Sequence, residues 1–168
     1  MKIQKTTICA LLIAMCFIGA NIKVMGSIAF DAAPAFIGTL LLGPGFGMAL
    51  GFLGHMISSL IAGFPLSFPV HLIIAIMMAI TMFLYSVTRR WIGKKINQAF
   101  GIGISVVIAF IFNCPLSLLA LYPILKDVIF VLFPALAIAS VCNIVVAEIV
   151  FAALPLKWKK KYISPSTI

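Results

Sequence analysis

Acidic side chains are nearly absent. Asp31, Asp127 and Glu148 are the only three in 168 residues, and charged residues of both signs make up 9% of the chain. A water-exposed globular domain carries about a quarter charged residues, so a soluble fold is excluded. There is no Gly-x-x-x-x-Gly-Lys-Ser/Thr phosphate loop, no His-Glu-x-x-His and no pair of acids close in sequence, which removes the usual supports of nucleotide hydrolysis and metal-assisted catalysis. The four cysteines, Cys9, Cys16, Cys114 and Cys142, lack Cys-x-x-Cys spacing and lie in apolar runs. They read as core packing rather than disulfide or metal chemistry, and neither a metal nor a cofactor is expected. The two-fold internal repeat of larger transporters is missing as well.

What is present is apolar: 64% of the residues are hydrophobic. They fall in six blocks, about Thr6 to Ile22, Asp31 to Leu42, Phe46 to Ala62, Val70 to Thr88, Ala99 to Leu121 and Val128 to Leu154. A helix needs about 20 mostly apolar residues to cross a bilayer, whereas a lipid-facing barrel needs repeated alternating strands of about ten. The continuous blocks predict an all-α membrane protein, one domain over 1–168 with six transmembrane helices.

Cations outnumber acids by 12 to 3, and their placement decides what that means. Lys2 and Lys5 precede the first block, Arg89, Arg90, Lys94 and Lys95 follow the fourth, and Lys157, Lys159, Lys160 and Lys161 follow the sixth, leaving only Lys23 and Lys126 elsewhere. Clusters at alternate ends of spans mark the cytoplasmic side, so both termini are expected there and nucleic-acid binding is not. Lys2 and Lys5 before an apolar run also suit a signal peptide, but no convincing small-x-small cleavage site follows, and the first helix is expected to be retained.

Gly43, Gly47 and Gly51 are spaced by four, a helical stripe that lets neighbouring helices approach closely rather than a phosphate cradle. Polar residues in or beside spans are functional candidates because burying them is costly, and each also has a structural reading. Asp31 suits the N-cap of the second helix, with Pro34 in its first turn. His71 suits an interfacial position, and His55 and Ser59, four apart, suit an interhelical hydrogen bond. Asn113 precedes Cys114-Pro115 and suits a proline kink whose freed backbone groups it satisfies. Lys126 and Asp127 suit the rim. Glu148 lies about 140° around the helix from Asn143, so the two do not share a face, and Glu148 reads as a structural or coupling residue.

Ala10 and Ala14 set two small residues four apart in the first helix. Six spans, both ends inside, small size and this Ala-x-x-x-Ala together resemble the substrate-binding S component of energy-coupling factor (ECF) vitamin transporters. The stretch from Gly26 through Asp31, Pro34 and Phe36 to Leu40-Leu41-Leu42-Gly43-Pro44-Gly45-Phe46-Gly47, then Gly54-His55 and Gly63-Phe64-Pro65-Leu66, is similar to S components assigned to α-ribazole, the benzimidazole nucleoside precursor of cobalamin. The resemblance implies a bacterial plasma-membrane subunit that binds a vitamin or precursor with high affinity for uptake. It implies that Ala10 and Ala14 dock on a transmembrane coupling subunit driven by two cytoplasmic ATPases, and that the chain itself is no enzyme.

On this topology a ligand arriving from outside meets Phe30, Asp31, Phe64 and Phe68, with His71 beneath and His55, Asn113 and Asn143 deeper. Aromatic faces with a few directional polar groups suit a mostly neutral heterocycle bearing hydroxyls. An S component for another vitamin stays open as an alternative. A small secondary transporter or channel would need a charged pathway, for which only Glu148 and His55 offer themselves. A membrane-embedded enzyme would need His55, His71 and Asp31 brought together.

Overall fold

The computed structural model describes residues 2–21, 23–24, 28–29 and 31–162. They form eight helices: α1 (Lys2–Asn21), α2 (Ala32–Leu42), α3 (Pro44–Ile61), α4 (Phe68–Lys95), α5 (Gln98–Asn113), α6 (Pro115–Leu125), α7 (Val128–Ala153) and α8 (Leu156–Tyr162). Between α1 and α2 a minimal antiparallel ladder joins β1 (Lys23–Val24) to β2 (Ile28–Ala29).

Every expected block is helical, and five stretches are long and apolar enough to cross a membrane: α1, α3, α4, α5 with α6, and α7. The second block is not. At 11 residues, α2 is about 16 Å long, half of an about 30 Å hydrocarbon core. Its brevity is tolerable because all its residues are buried, so it faces protein rather than lipid. The outer faces of the long helices carry the lipid-facing side chains, among them Leu11, Leu60, Phe130, Val131 and Ile149, all more than half exposed.

Glycines set the helix spacing. A Cβ on Gly47 would fall 2.4 Å from Thr39 Oγ1 on α2, one on Gly51 2.9 Å from the Met78 carbonyl oxygen on α4, and one on Gly54 3.0 Å from Cys16 Sγ on α1. Thus α3 uses successive glycines to approach three neighbours. Gly43, at φ +100°, reverses the chain between α2 and α3 in a conformation that favours glycine. Phe36 and Tyr85, both fully buried, meet edge to face at 5.3 Å at the centre of the core.

Boundaries differ from expectation in several places, and α3 already starts at Pro44 while α6 runs through Pro123 to Leu125 rather than stopping at Leu121. Phe68 and Pro69 belong to the first turn of α4 rather than the preceding loop, since proline suits the start of a helix. The basic segment Arg89 to Lys95 continues α4 instead of turning; Arg and Lys are good helix formers and favour the C-terminal dipole, and the reversal comes at Ile96 and Asn97, whose Oδ1 accepts from Phe100 N. The fifth block breaks at Cys114, where Pro115 starts α6. The carbonyl of Phe112 is then served by the Ser117 hydroxyl at 2.8 Å, the role expected of Asn113.

Since neighbouring helices alternate in direction, the start of α1, the Gly43 turn, the α4–α5 turn and α8 share one end of the bundle, which carries the cation clusters. The β ladder, the loop 62–67 and the α6–α7 turn share the distal end.

Candidate functional site

A cavity of about 450 Å³ opens among α1, α3, α4, α6 and α7 at the distal end, with Asp31 and Ala32 at the start of α2 in its wall. Because α2 is short, the space above its N-terminus is left unfilled by backbone. Phe17, Ile74, Met78, Leu118, Leu121 and Leu136 supply apolar wall. Asp31, just before α2, and His55, Ser58, Ser59 and His71 of α3 and α4 gather on one side, with Asn113, Ser117, Ser140 and Asn143 contributed by α5, α6 and α7.

Asp31 does not cap its own helix through its side chain. Its Oδ2 instead accepts a hydrogen bond from Ser58 Oγ at 3.2 Å and stands 3.9 Å from His55 Nδ1. The N–H of Ala33 is bonded by Asn143 Oδ1 at 2.8 Å, and Asn143 Nδ2 donates to the Ala139 carbonyl. The capping assigned to Asp31 is therefore done by a side chain of α7, which frees the carboxylate for the cavity wall.

His55 and His71 come together across α3 and α4, with Nε2 of the first 3.2 Å from Nδ1 of the second. Ser59 Oγ donates to the His55 carbonyl at 2.7 Å and lies 2.9 Å from His71 Nδ1. Ser59 Oγ also lies 3.2 Å from His55 Nε2, so the hydroxyl and the two imidazoles form one closed hydrogen-bonding cluster. Nε2 of His71 is buried and has no hydrogen-bond partner among the described residues.

Of the sequence-predicted residues, Asp31, His55, His71, Asn113 and Asn143 all line the cavity. Asn113 Nδ2 donates to Ser140 Oγ at 3.0 Å. Phe64 and Phe68 do not line it: Phe64, at φ +48°, packs 5.8 Å from the His71 ring, and Phe68 packs on Phe64 at 5.3 Å. They buttress His71 from behind. Phe30 lies outside the described residues. Sequence reasoning missed Ser58, Ser117 and Ser140 on the wall; single serines in apolar helices give no periodic signal of their own.

Glu148 is remote from this cavity. Its Oε1 accepts from both Tyr85 Oη and Arg89 Nη1, and Arg89 Nη1 also donates to Tyr85 Oη at 3.2 Å. Glu148 and His55 are thus parts of separate clusters, with Phe36, Leu50 and Met82 packed in the core, and no charged path joins them among the described residues. Ala10 and Ala14 are exposed on α1, beside the exposed Leu11, Met15 and Ile18. Among the described residues no cluster of three or more His, Cys, Asp and Glu suits a metal.

The family model of the ECF transporter, substrate-specific component, matches residues 4–164. No curated protein and no solved structure matches the chain.

Proposed function

We propose that this chain, which belongs to the ECF transporter substrate-specific component family, captures α-ribazole in its distal cavity. Membership makes it a multi-pass protein of the cell membrane that binds a small vitamin-type substrate for transport, works with an ECF coupling and ATPase module, and is not an enzyme. The meeting of His55, His71 and Asp31 therefore serves recognition rather than catalysis.

The composition of the cavity carries the substrate reading. Its walls are mostly apolar, it holds one carboxylate and two imidazoles, and no Lys or Arg lines it among the described residues. A neutral aromatic base finds apolar walls, and hydroxyls find hydrogen-bonding partners at Asp31 and the imidazoles; an anionic vitamin would meet no Lys or Arg among the described residues. Asn113 and Asn143 offer further contacts deeper in, Phe64 and Phe68 act by holding His71, and Phe30 adjoins Asp31 in sequence.

The orientation with six passes and both termini cytoplasmic belongs to the same proposal, supported by the gathering of cation clusters at one end. Cysteine-accessibility labelling at Lys161 and Ser67 tests it, because reaction of both from one side would end it. Ala10 and Ala14 then form the docking face for a transmembrane coupling subunit driven by two cytoplasmic ATPases.

Mass spectrometry of small molecules that co-purify with the full chain, followed by calorimetry with α-ribazole, tests the substrate. Co-purification and tight binding are expected. Tight binding of a polyanionic vitamin, with none of α-ribazole, would overturn the reading.

A further inference from the structure

At the basic end a second cavity, of about 300 Å³, is bounded by Arg89, Arg90 and Lys94 of α4 and by Lys159 and Lys160 of α8. The positive-inside bias explains why these cations share a side of the membrane. It does not explain why two segments some 65 residues apart in sequence surround one cavity with them.

The chain has no carboxylate side chain left to neutralise them. Glu148 is bonded to Arg89 and Tyr85, Asp31 lines the distal cavity, and Asp127 stands at the N-terminus of α7 at the distal end. Lys159 is satisfied in part by the Ala152 carbonyl at 2.9 Å and the Phe151 ring at 5.1 Å. Arg90, Lys94 and Lys160 have no hydrogen-bond, ionic or ring partner among the described residues. Arg90 is half-buried and its guanidinium packs beside the Gly43 turn, which has no side chain to offer it. Lys94 and Lys160 are more exposed than Arg90, yet like charges gathered around one cavity repel one another unless an anion lies between them.

The remaining wall says which anion. Leu40, Phe151 and Leu156 line the cavity beside the cations, and the exposed Trp91 and Trp158 stand at the same end, where aromatic side chains mark the headgroup level of a bilayer. Basic pockets between helices at this depth suit phosphate headgroups with acyl chains leaving along apolar surface. We propose that this inner cavity binds the phosphate of an anionic phospholipid, tying α8 to α4 through the headgroup.

The test uses the full chain in nanodiscs of equal phosphatidylglycerol and phosphatidylcholine, with retained lipid counted by native mass spectrometry after mild detergent extraction. Preferential retention of phosphatidylglycerol is expected. Arg90→Gln, Lys94→Gln and Lys160→Gln together should weaken it roughly a hundredfold, at about fivefold per charge, while Lys157→Gln with Lys161→Gln, which remove nearby cations that do not line the cavity, leave it unchanged. Should the triple variant fail to fold, Lys94→Gln and Lys160→Gln, both at exposed positions, each weaken retention about fivefold. Equal retention of the two lipids, or equal loss in the Lys157 and Lys161 variant, overturns the proposal. Displacement by millimolar inorganic phosphate would make it a soluble-anion site, and retention only with the coupling subunit bound would make it a protein interface; either also overturns it.

Discussion

Asn143 caps a helix to which it does not belong. Its Oδ1 accepts the Ala33 N–H across 110 residues of sequence, so α7 closes the first turn of α2 and leaves the Asp31 carboxylate free to face Ser58 and His55. Removing the acceptor leaves a buried N–H unsatisfied, which costs about 1–3 kcal/mol. Asn143→Ala is expected to lower the melting temperature of the detergent-solubilised chain by more than Asp31→Ala, which removes no cap and leaves only the rotatable Ser58 hydroxyl to find another acceptor. Equal melting of wild type and Asn143→Ala would remove the cap from the account.

The Arg89–Glu148 pair ties α4 to α7 near the basic end, with Tyr85 as third member. The two charged side chains retain 15% and 21% exposure, so solvent screens part of the interaction, and the loss on breaking it falls below the 3–5 kcal/mol of a fully buried pair. Glu148→Gln should destabilise by about 1–3 kcal/mol and leave substrate affinity within a fewfold. Arg89→Met added to Glu148→Leu should recover part of the loss, since no charge is then left alone. A fall in affinity matching the fall in stability would link this cluster to the binding site.

Two glycines of α3 should respond oppositely to one added methyl. At Gly51 a Cβ meets the Met78 backbone carbonyl at 2.9 Å, while at Gly45 it meets nothing within 4 Å. Gly51→Ala should force α3 from α4 at a cost of about 1–3 kcal/mol. Gly45→Ala relieves the entropic penalty of glycine in a helix, about 0.5–1 kcal/mol, and should raise the melting temperature slightly. Thermal unfolding of the pair in one detergent checks the ordering, and a stabilised Gly51→Ala would contradict the close approach.

Apolar runs long enough to span were legible because the bilayer imposes length and composition together; the burial of Cys9, Cys16 and Cys114 followed from the same reasoning, whereas Cys142 is only half-buried, and of the expected glycine stripe Gly47 and Gly51 pack against neighbouring helices while Gly43 lies in the turn before α3. The break at Cys114 was visible through Pro115, yet which side chain would serve the freed carbonyl was not, because Asn113 and Ser117 are both within reach and only the local path chooses. Asp31 was read as a cap because a cap is a local feature; that Asn143 displaces it depends on how α7 packs. His55, His71 and Asp31 were each visible as polar exceptions, but their meeting depends on the antiparallel register of α3 and α4. The shortness of α2 was plain in its count of residues, and its consequence, a cavity above its N-terminus, needed the neighbouring helices.

Ala10 and Ala14 lie exposed on α1, where small side chains permit close approach by another helix. Replacing both with Trp should abolish uptake in cells supplied with the coupling and ATPase module, while the isolated variant binds substrate within a fewfold of wild type. Normal uptake would show that α1 does not dock through this face.

The distal cavity sets the Asp31 carboxylate and the His71 ring on one wall, the carboxylate already receiving Ser58 Oγ. Losing a hydrogen-bonding partner in such a wall typically costs about 1–3 kcal/mol, or roughly ten- to a hundredfold in affinity. Asp31→Ala and His71→Ala should each weaken α-ribazole binding by that much in calorimetry. Phe64→Ala should also weaken binding, because its ring holds His71 in place, but less than His71→Ala and not further when combined with it, since it acts only through the histidine. Additive losses in the double variant would mean that Phe64 touches the ligand itself, and unchanged affinity in both Asp31→Ala and His71→Ala would place the site elsewhere.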